Sequence, residues 1–227
     1  MNWINLSSPK VRAQPGHYQP FTWPDGTFHA LPEIEDVDDK GILSLLDHRR
    51  TRRTFNALSV DQLGQLLWRS TRTQAIAGSD YGFDLELRPT PSAGAIHPIH
   101  ILAHIPGTTN WRRYDNRRHG LVEVPGSVEA FAGLAEQCQQ TLPSEQATRL
   151  LLVAEPWKTA TKYQHGESLI WRDAGVLLAI MALIAEALDY AFCPLGITGE
   201  PWASQLAPSG ILTGVGVALL GGPAPKG

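Results

Sequence analysis

Twelve consecutive residues, Ala174–Ala185, carry no charged or strongly polar side chain, and Asp173 and Glu186 bound the run. A bilayer-spanning helix needs roughly 20 apolar residues. The run therefore predicts a core helix over Asp173 to Tyr190, stopped by Pro194. The longer charge-free stretch from Pro201 to Pro225 is interrupted by Ser204, Gln205, Pro208, Ser209 and five glycines, so it predicts no membrane anchor. A core helix must be covered by the rest of the chain. With 227 residues, 43% hydrophobic and 18% charged, the chain can bury roughly 70% of the surface its unfolded form exposes.

Charge and cysteine content remove several function classes. Nineteen basic and 22 acidic side chains leave a net charge of −3, which gives no global footprint for nucleic acid or an anionic membrane. Cys138 and Cys193 are the two cysteines, and no C-x-x-C or H-E-x-x-H spacing occurs, so neither a disulfide framework nor a metal site is expected. His100 and His104 share one strand face but lie about 13 Å apart, too far for joint ligation. Residues 1–10 lack a cationic start followed by an apolar stretch, and a cytoplasmic protein is expected.

Residues 1–40 mix five prolines with Trp3, Tyr18, Phe21 and Trp23, a composition that predicts an extended arm packed by its aromatics. A single domain over 41–227 follows. Ile42, Leu45, Leu46 and Arg49 have helical spacing, and Ser59 with Gln62 forms a capping-box pattern before Leu63, Leu66 and Leu67. Alternation over Ile99–Ile105 predicts a strand, followed by a hairpin with arms Trp111–Asp115 and Leu121–Val124. Val128–Gln139 has helical character, while Arg149–Ala154 and Gly214–Leu220 read as buried strands. The fold class is α+β.

Four segments could carry chemistry. His48-Arg49-Arg50-Thr51-Arg52-Arg53 is either a solvated helix end whose cations complement the dipole or a pocket in which guanidinium forks and a hydroxyl hold one phosphate. The segment Arg88 to Pro98 is rich in small residues that allow close backbone approach to a flat ligand, though turn formers alone explain it as a loop. Lys158 to Tyr163 holds a Lys-Tyr pair capable of acid/base work if burial or a neighbouring charge tunes it. Phe192-Cys193-Pro194-Leu195-Gly196 reads as helix termination, with Cys193 a small core residue.

In this order the segments resemble the nitroreductase-like flavoprotein superfamily, and within it the SagB/ThcOx-type dehydrogenase branch that includes azoline oxidases. Arg49 to Phe55 is similar to the R-R-S-x-R-x-F segment, with Thr51 in place of serine. Pro91 to Pro98 is similar to P-S-A-G-A-x-Y-P, with His97 in place of tyrosine. Lys162-Tyr163 stands where azoline oxidases have their catalytic Lys-Tyr pair, and Asp173-Ala174-Gly175 and Cys193-Pro194-Leu195-Gly196 match the D-A-G helix and C-P-x-G loop. The resemblance implies a central mixed or antiparallel sheet wrapped by helices and a homodimer with FMN at the subunit interface. It further implies that Arg49, Arg50, Thr51 and Arg53 hold the phosphate, that Pro91, Ser92, Ala93 and Gly94 approach the ring, and that Pro194, Leu195 and Gly196 cover its other side. Lys162 and Tyr163 would be catalytic in the dehydrogenation of a peptide or small-molecule substrate, with a cyclodehydratase or carrier protein as a further partner. An NAD(P)H-dependent nitro or quinone reductase and a catalytically silent subunit are the alternatives.

Overall fold

The computed structural model describes residues 6–34, 40–208 and 210–223; Trp3 and Lys226 lie outside them. Along the chain come β1 (Lys10–Val11), β2 (Phe28–Ala30), α1 (Ile42–His48), α2 (Val60–Thr71), β3 (Ala75–Ala77), β4 (Leu85–Leu87), β5 (Ile99–His104), β6 (Arg112–Asp115) and β7 (Gly120–Glu123). The second half supplies α3 (Ser127–Ala130), α4 (Ala132–Thr141), β8 (Thr148–Ala154), α5 (Pro156–Lys162), β9 (Tyr163–Gln164), α6 (Glu167–Ala187), β10 (Ala191–Leu195) and β11 (Thr213–Gly221). Seven strands form one antiparallel sheet in the order β10-β11-β8-β5-β6-β7-β2.

The period-2 pattern sorts the core. Ile99, Ile101 and Ala103 of β5, with Leu150, Leu152 and Ala154 of β8, face a cluster completed by Leu63, Leu66 and Leu67 of α2 and the buried stripe of α6. Leu102, Leu151 and Val153 point to the opposite face, against Trp111, Phe131 and Leu134. A strand such as β8, apolar on both faces, gains most when covered on both, and its central position follows. The expected capping box of α2 is present: the Gln62 N–H donates to Ser59 Oγ at 3.1 Å and the Ser59 N–H donates to Gln62 Oε1 at 2.9 Å.

Three boundaries differ from the sequence expectation. Helix α6 starts at Glu167 because Ile170 continues the stripe of Ala174, Leu177, Met181 and Ala185 toward the sheet. It ends at Ala187, where the Tyr190 N–H donates to the Ala185 carbonyl at 2.8 Å and Asp189 turns left-handed at φ 60°. Pro194 therefore does not stop the helix. It lies inside β10, and a proline without an N–H is tolerated there because β10 is a sheet edge. The helix expected over Val128–Gln139 is broken at the buried Phe131 into α3 and α4. Among the described residues α6 alone is long and apolar enough to cross a bilayer, but its buried stripe lies on the sheet as a core helix does.

Residues 6–34 run along their own chain. Strand β1 pairs with β9, β2 extends the sheet beyond β7, and the Gly16 and Tyr18 N–H groups donate to the Thr161 and Tyr81 carbonyls at 2.8 Å each. Phe21 and Trp23 pack against the second core cluster.

Candidate functional site

The turn between Arg88 and β5 holds an unusual backbone. Gly94, Ala95 and His97 all have positive φ, at 67°, 58° and 46°; such conformations in residues bearing a Cβ persist only where surrounding bonds fix them, and they concentrate at functional sites. Asp173 at the start of the apolar stretch of α6 fixes this one. Ser92 Oγ donates to its carboxylate at 2.5 Å, the Ala93 N–H donates to it at 3.1 Å, and Ser92 Oγ in turn accepts the His97 N–H at 3.0 Å. Burial pushes the Asp173 carboxyl up, opposed by the bonds from Ser92 and Ala93.

Lys162 closes α5 and Tyr163 opens β9, held in place by the pairing of Val11 with Tyr163 and by the Arg12 N–H donating to the Lys162 carbonyl at 2.9 Å. Their polar tips meet over the turn. A Cβ built on Gly94 would fall 2.9 Å from both Lys162 Nζ and Tyr163 Oη, so the absent side chain leaves a cradle in which an ammonium or amine, a phenol and bare backbone converge. The structure thus brings Lys162, Tyr163 and the Pro91–Gly94 turn together, although about 70 residues separate them in sequence.

The arginine segment disperses. Arg49 and Thr51 line an open groove of about 420 Å³, walled by Gly175, Leu178, Phe192 and Pro194. The Arg50 guanidinium turns back to donate to the Asp47 and Arg49 carbonyls, both at 2.9 Å, and its backbone N–H reaches Glu186 at 3.4 Å. Arg52 pairs with the buried Glu186 at 2.9 Å. Arg53 lines a separate cavity of about 340 Å³ with Asn56 and Asp189. Of the C-terminal candidates, Pro194 reaches the groove, Leu195 packs into the core and Gly196 is exposed beyond β10. Cys193 is buried, and burial pushes its thiol up against the opposing charge of Arg53, which suits a core residue rather than a nucleophile. Among the described residues no three His, Cys, Asp or Glu side chains come together as metal ligands.

Sequence reasoning missed the role of Asp173 as anchor of the turn. An acid at the entry of an apolar helix was visible, but its partner lies 81 positions away.

No protein-family model and no curated protein sequence matches the chain. Solved structures are similar in fold. A protein of Ralstonia eutropha JMP134 described as a nitroreductase aligns with a TM-score of 0.61 at 16% identity, over 94% of this chain and 99% of that one. A chain of the Escherichia coli microcin synthetase McbBCD complex with truncated pro-MccB17 bound gives 0.58 at 17% identity, over 85% of this chain and 76% of that one. A protein of Desulfovibrio desulfuricans described as a nitroreductase, in complex with FMN, gives 0.55 at 17% identity, over 84% of this chain and 90% of that one. The chain has the nitroreductase-like fold, an α+β architecture in which helices wrap a seven-stranded antiparallel sheet.

Proposed function

We propose that the protein is an FMN-dependent dehydrogenase that oxidises a thiazoline, an oxazoline or a related C–N or C–C bond in a peptide or natural-product intermediate. The observation that carries this reading is the convergence of Lys162 Nζ and Tyr163 Oη on the bare backbone of Gly94. A neighbour of the same fold in complex with FMN, and another within a microcin synthetase complex with truncated pro-MccB17 bound, support this reading.

The residues present suit the cofactor. Arg49 offers a guanidinium fork and Thr51 a hydroxyl for a phosphate, and the apolar wall from Gly175 to Pro194 suits a ring system, in a groove within the roughly 300–1,000 Å³ of small-molecule sites. Pro91, Ser92, Ala93 and Gly94 would approach the ring, and Pro194, Leu195 and Gly196 would border it. Arg50 and Arg53 would join the phosphate only by leaving their present surroundings. Bound FMN supplies the two-electron oxidation, as acceptor of a hydride equivalent. Lys162 removes the proton from the substrate carbon, Tyr163 holds and returns protons beside it, and Asp173 keeps the turn rigid through Ser92 and Ala93.

A homodimer completes the site. Ile42, Leu43 and Leu46 of α1 are 58%, 75% and 56% exposed; an apolar face of this kind, continuous with the groove through Leu46, marks an interaction surface. A second copy would cover both face and groove, and a cyclodehydratase or carrier protein would deliver the substrate.

Replacing Lys162 by Ala tests the chemistry. Turnover of a thiazoline-containing peptide should fall about 10²–10⁴-fold, the range of general acid–base catalysis, with bound flavin unchanged. Flavin loss would make Lys162 a cofactor ligand, and NADPH oxidation by the unaltered enzyme without other substrate would favour the reductase.

A further inference from the structure

Behind the turn, Arg88 and His97 also border a second cavity of about 240 Å³ that opens to solvent at the half-exposed Arg117. It exists because two strands part. Strand β5 pairs with β6 only at Leu102 and Ala103, and where the ladder ends His100, Arg113, Arg117 and Lys158 line the opening together with Arg88 and His97.

The charges in this cavity do not cancel pairwise. Glu86 accepts from Arg88 at 2.7 Å and from Arg117 at 2.6 Å, and Asp115 accepts from Arg118 at 2.8 Å. Glu155 is engaged by His100 at 3.0 Å, by the Phe21 N–H and by the Tyr18 hydroxyl. With Asp84, which accepts from Arg117 at 3.2 Å, four carboxylates stand against five cations, and among the described residues Arg113 and Lys158 make no ion pair. Arg113 stacks on Trp23 at 5.7 Å while its Nε, shielded from water, has no hydrogen-bond partner among the described residues. Lys158 Nζ lies 4.8 Å from the Phe83 ring and makes no hydrogen bond among the described residues. Burying a guanidinium N–H without a hydrogen-bond partner is costly, and an anion bound beside Arg113 and Lys158 would remove that cost.

We infer that this cavity binds a small oxyanion, a phosphate or a carboxylate, with Arg113 and Lys158 as charged donors and His97 and His100 as neighbouring imidazoles. Its volume is that of about eight waters at roughly 30 Å³ each, ample for such a group. Burial, helped by Arg88 and Arg117 and opposed by Glu155 and Glu86, lowers Lys158 to about 8. Burial and Arg88 lower His97 to about 4, so at neutral pH it is an uncharged donor or acceptor.

Calorimetric titration of the FMN-saturated protein with inorganic phosphate, and separately with succinate, at constant ionic strength in chloride tests the site. One of the two anions should bind at one per chain and raise Tm, and which one identifies the ligand class. Lys158→Met, which keeps volume and removes the charge, and Arg113→Gln should each weaken binding at least tenfold. Repeating the titration in Arg49→Gln silences the surface groove, so the result does not depend on whether FMN occupies it. Absence of binding by both anions to the unaltered protein, or binding retained within twofold in both folded variants, would overturn the proposal. Should either variant fail to fold, the Tm of the unaltered protein decides: no rise with either anion beyond that of chloride would overturn it equally.

Discussion

The arginines of the 49–53 segment and those around Glu86 solve opposite problems. Four guanidiniums within five residues cannot all face one ligand, since neighbours along an extended backbone point to opposite sides. Arg49 shares the groove with Thr51, while Arg50 turns to α1 carbonyls, Arg52 to Glu186 and Arg53 to another cavity. Arg88, Arg113 and Arg117 are scattered over the sequence, yet the fold delivers them to one cavity. The open groove leaves most of its charge to solvent and is suited to a ligand that arrives and leaves. The cavity instead sets its arginines against a buried carboxylate, Glu86, which becomes structural.

That contrast predicts the sharpest stability effect at Glu86. Burial raises its carboxyl, but Arg88, Thr73 and Arg117 outweigh burial and hold it down to about 2 from 4.5. A depressed native value means that the stabilisation is present above the unfolded value and is lost as pH falls from about 5 toward 2. Glu86→Gln should cost about 2–3 kcal/mol at pH 7, and chemical denaturation across pH should show the difference from the unaltered protein closing in acid. A constant difference would mean that the carboxylate is not the neutralising group.

Next in size is Arg49→Gln, which should weaken FMN about 10–100-fold, the worth of a charge-assisted hydrogen bond, with little change in Tm. Arg50→Gln should change FMN affinity less than about threefold, because its guanidinium already serves the end of α1. Equal losses in the two variants would show that Arg50 swings into the groove on binding and that the segment acts as one clamp. The smallest effect is Ser59→Ala, which should cost about 1 kcal/mol through loss of the α2 cap and leave FMN titrations unchanged. An altered titration would couple α2 to the groove.

Elements whose instructions are local were legible. The Ser59–Gln62 box, the alternation of β5 and the apolar β8 needed no distant partner to be recognised. Pro194 was not legible as a strand residue, because tolerance of its missing N–H depends on β10 being an edge. The motif at Pro91–Gly94 and the Lys162–Tyr163 pair were visible separately, but their meeting at Gly94 depends on β1 pairing with β9. The cavity around Arg88 and Arg113 was least legible, since it lies where the ladder between β5 and β6 stops short.

Flavin binding is tested most directly by the visible absorption spectrum of the purified protein during titration with FMN, with mass analysis of whatever heat denaturation releases. Oxidised-flavin bands should saturate at one FMN per chain, and the released mass should equal that of FMN. A colourless protein that takes up no FMN would contradict it, leaving a nitroreductase-like fold without the flavin chemistry proposed for it.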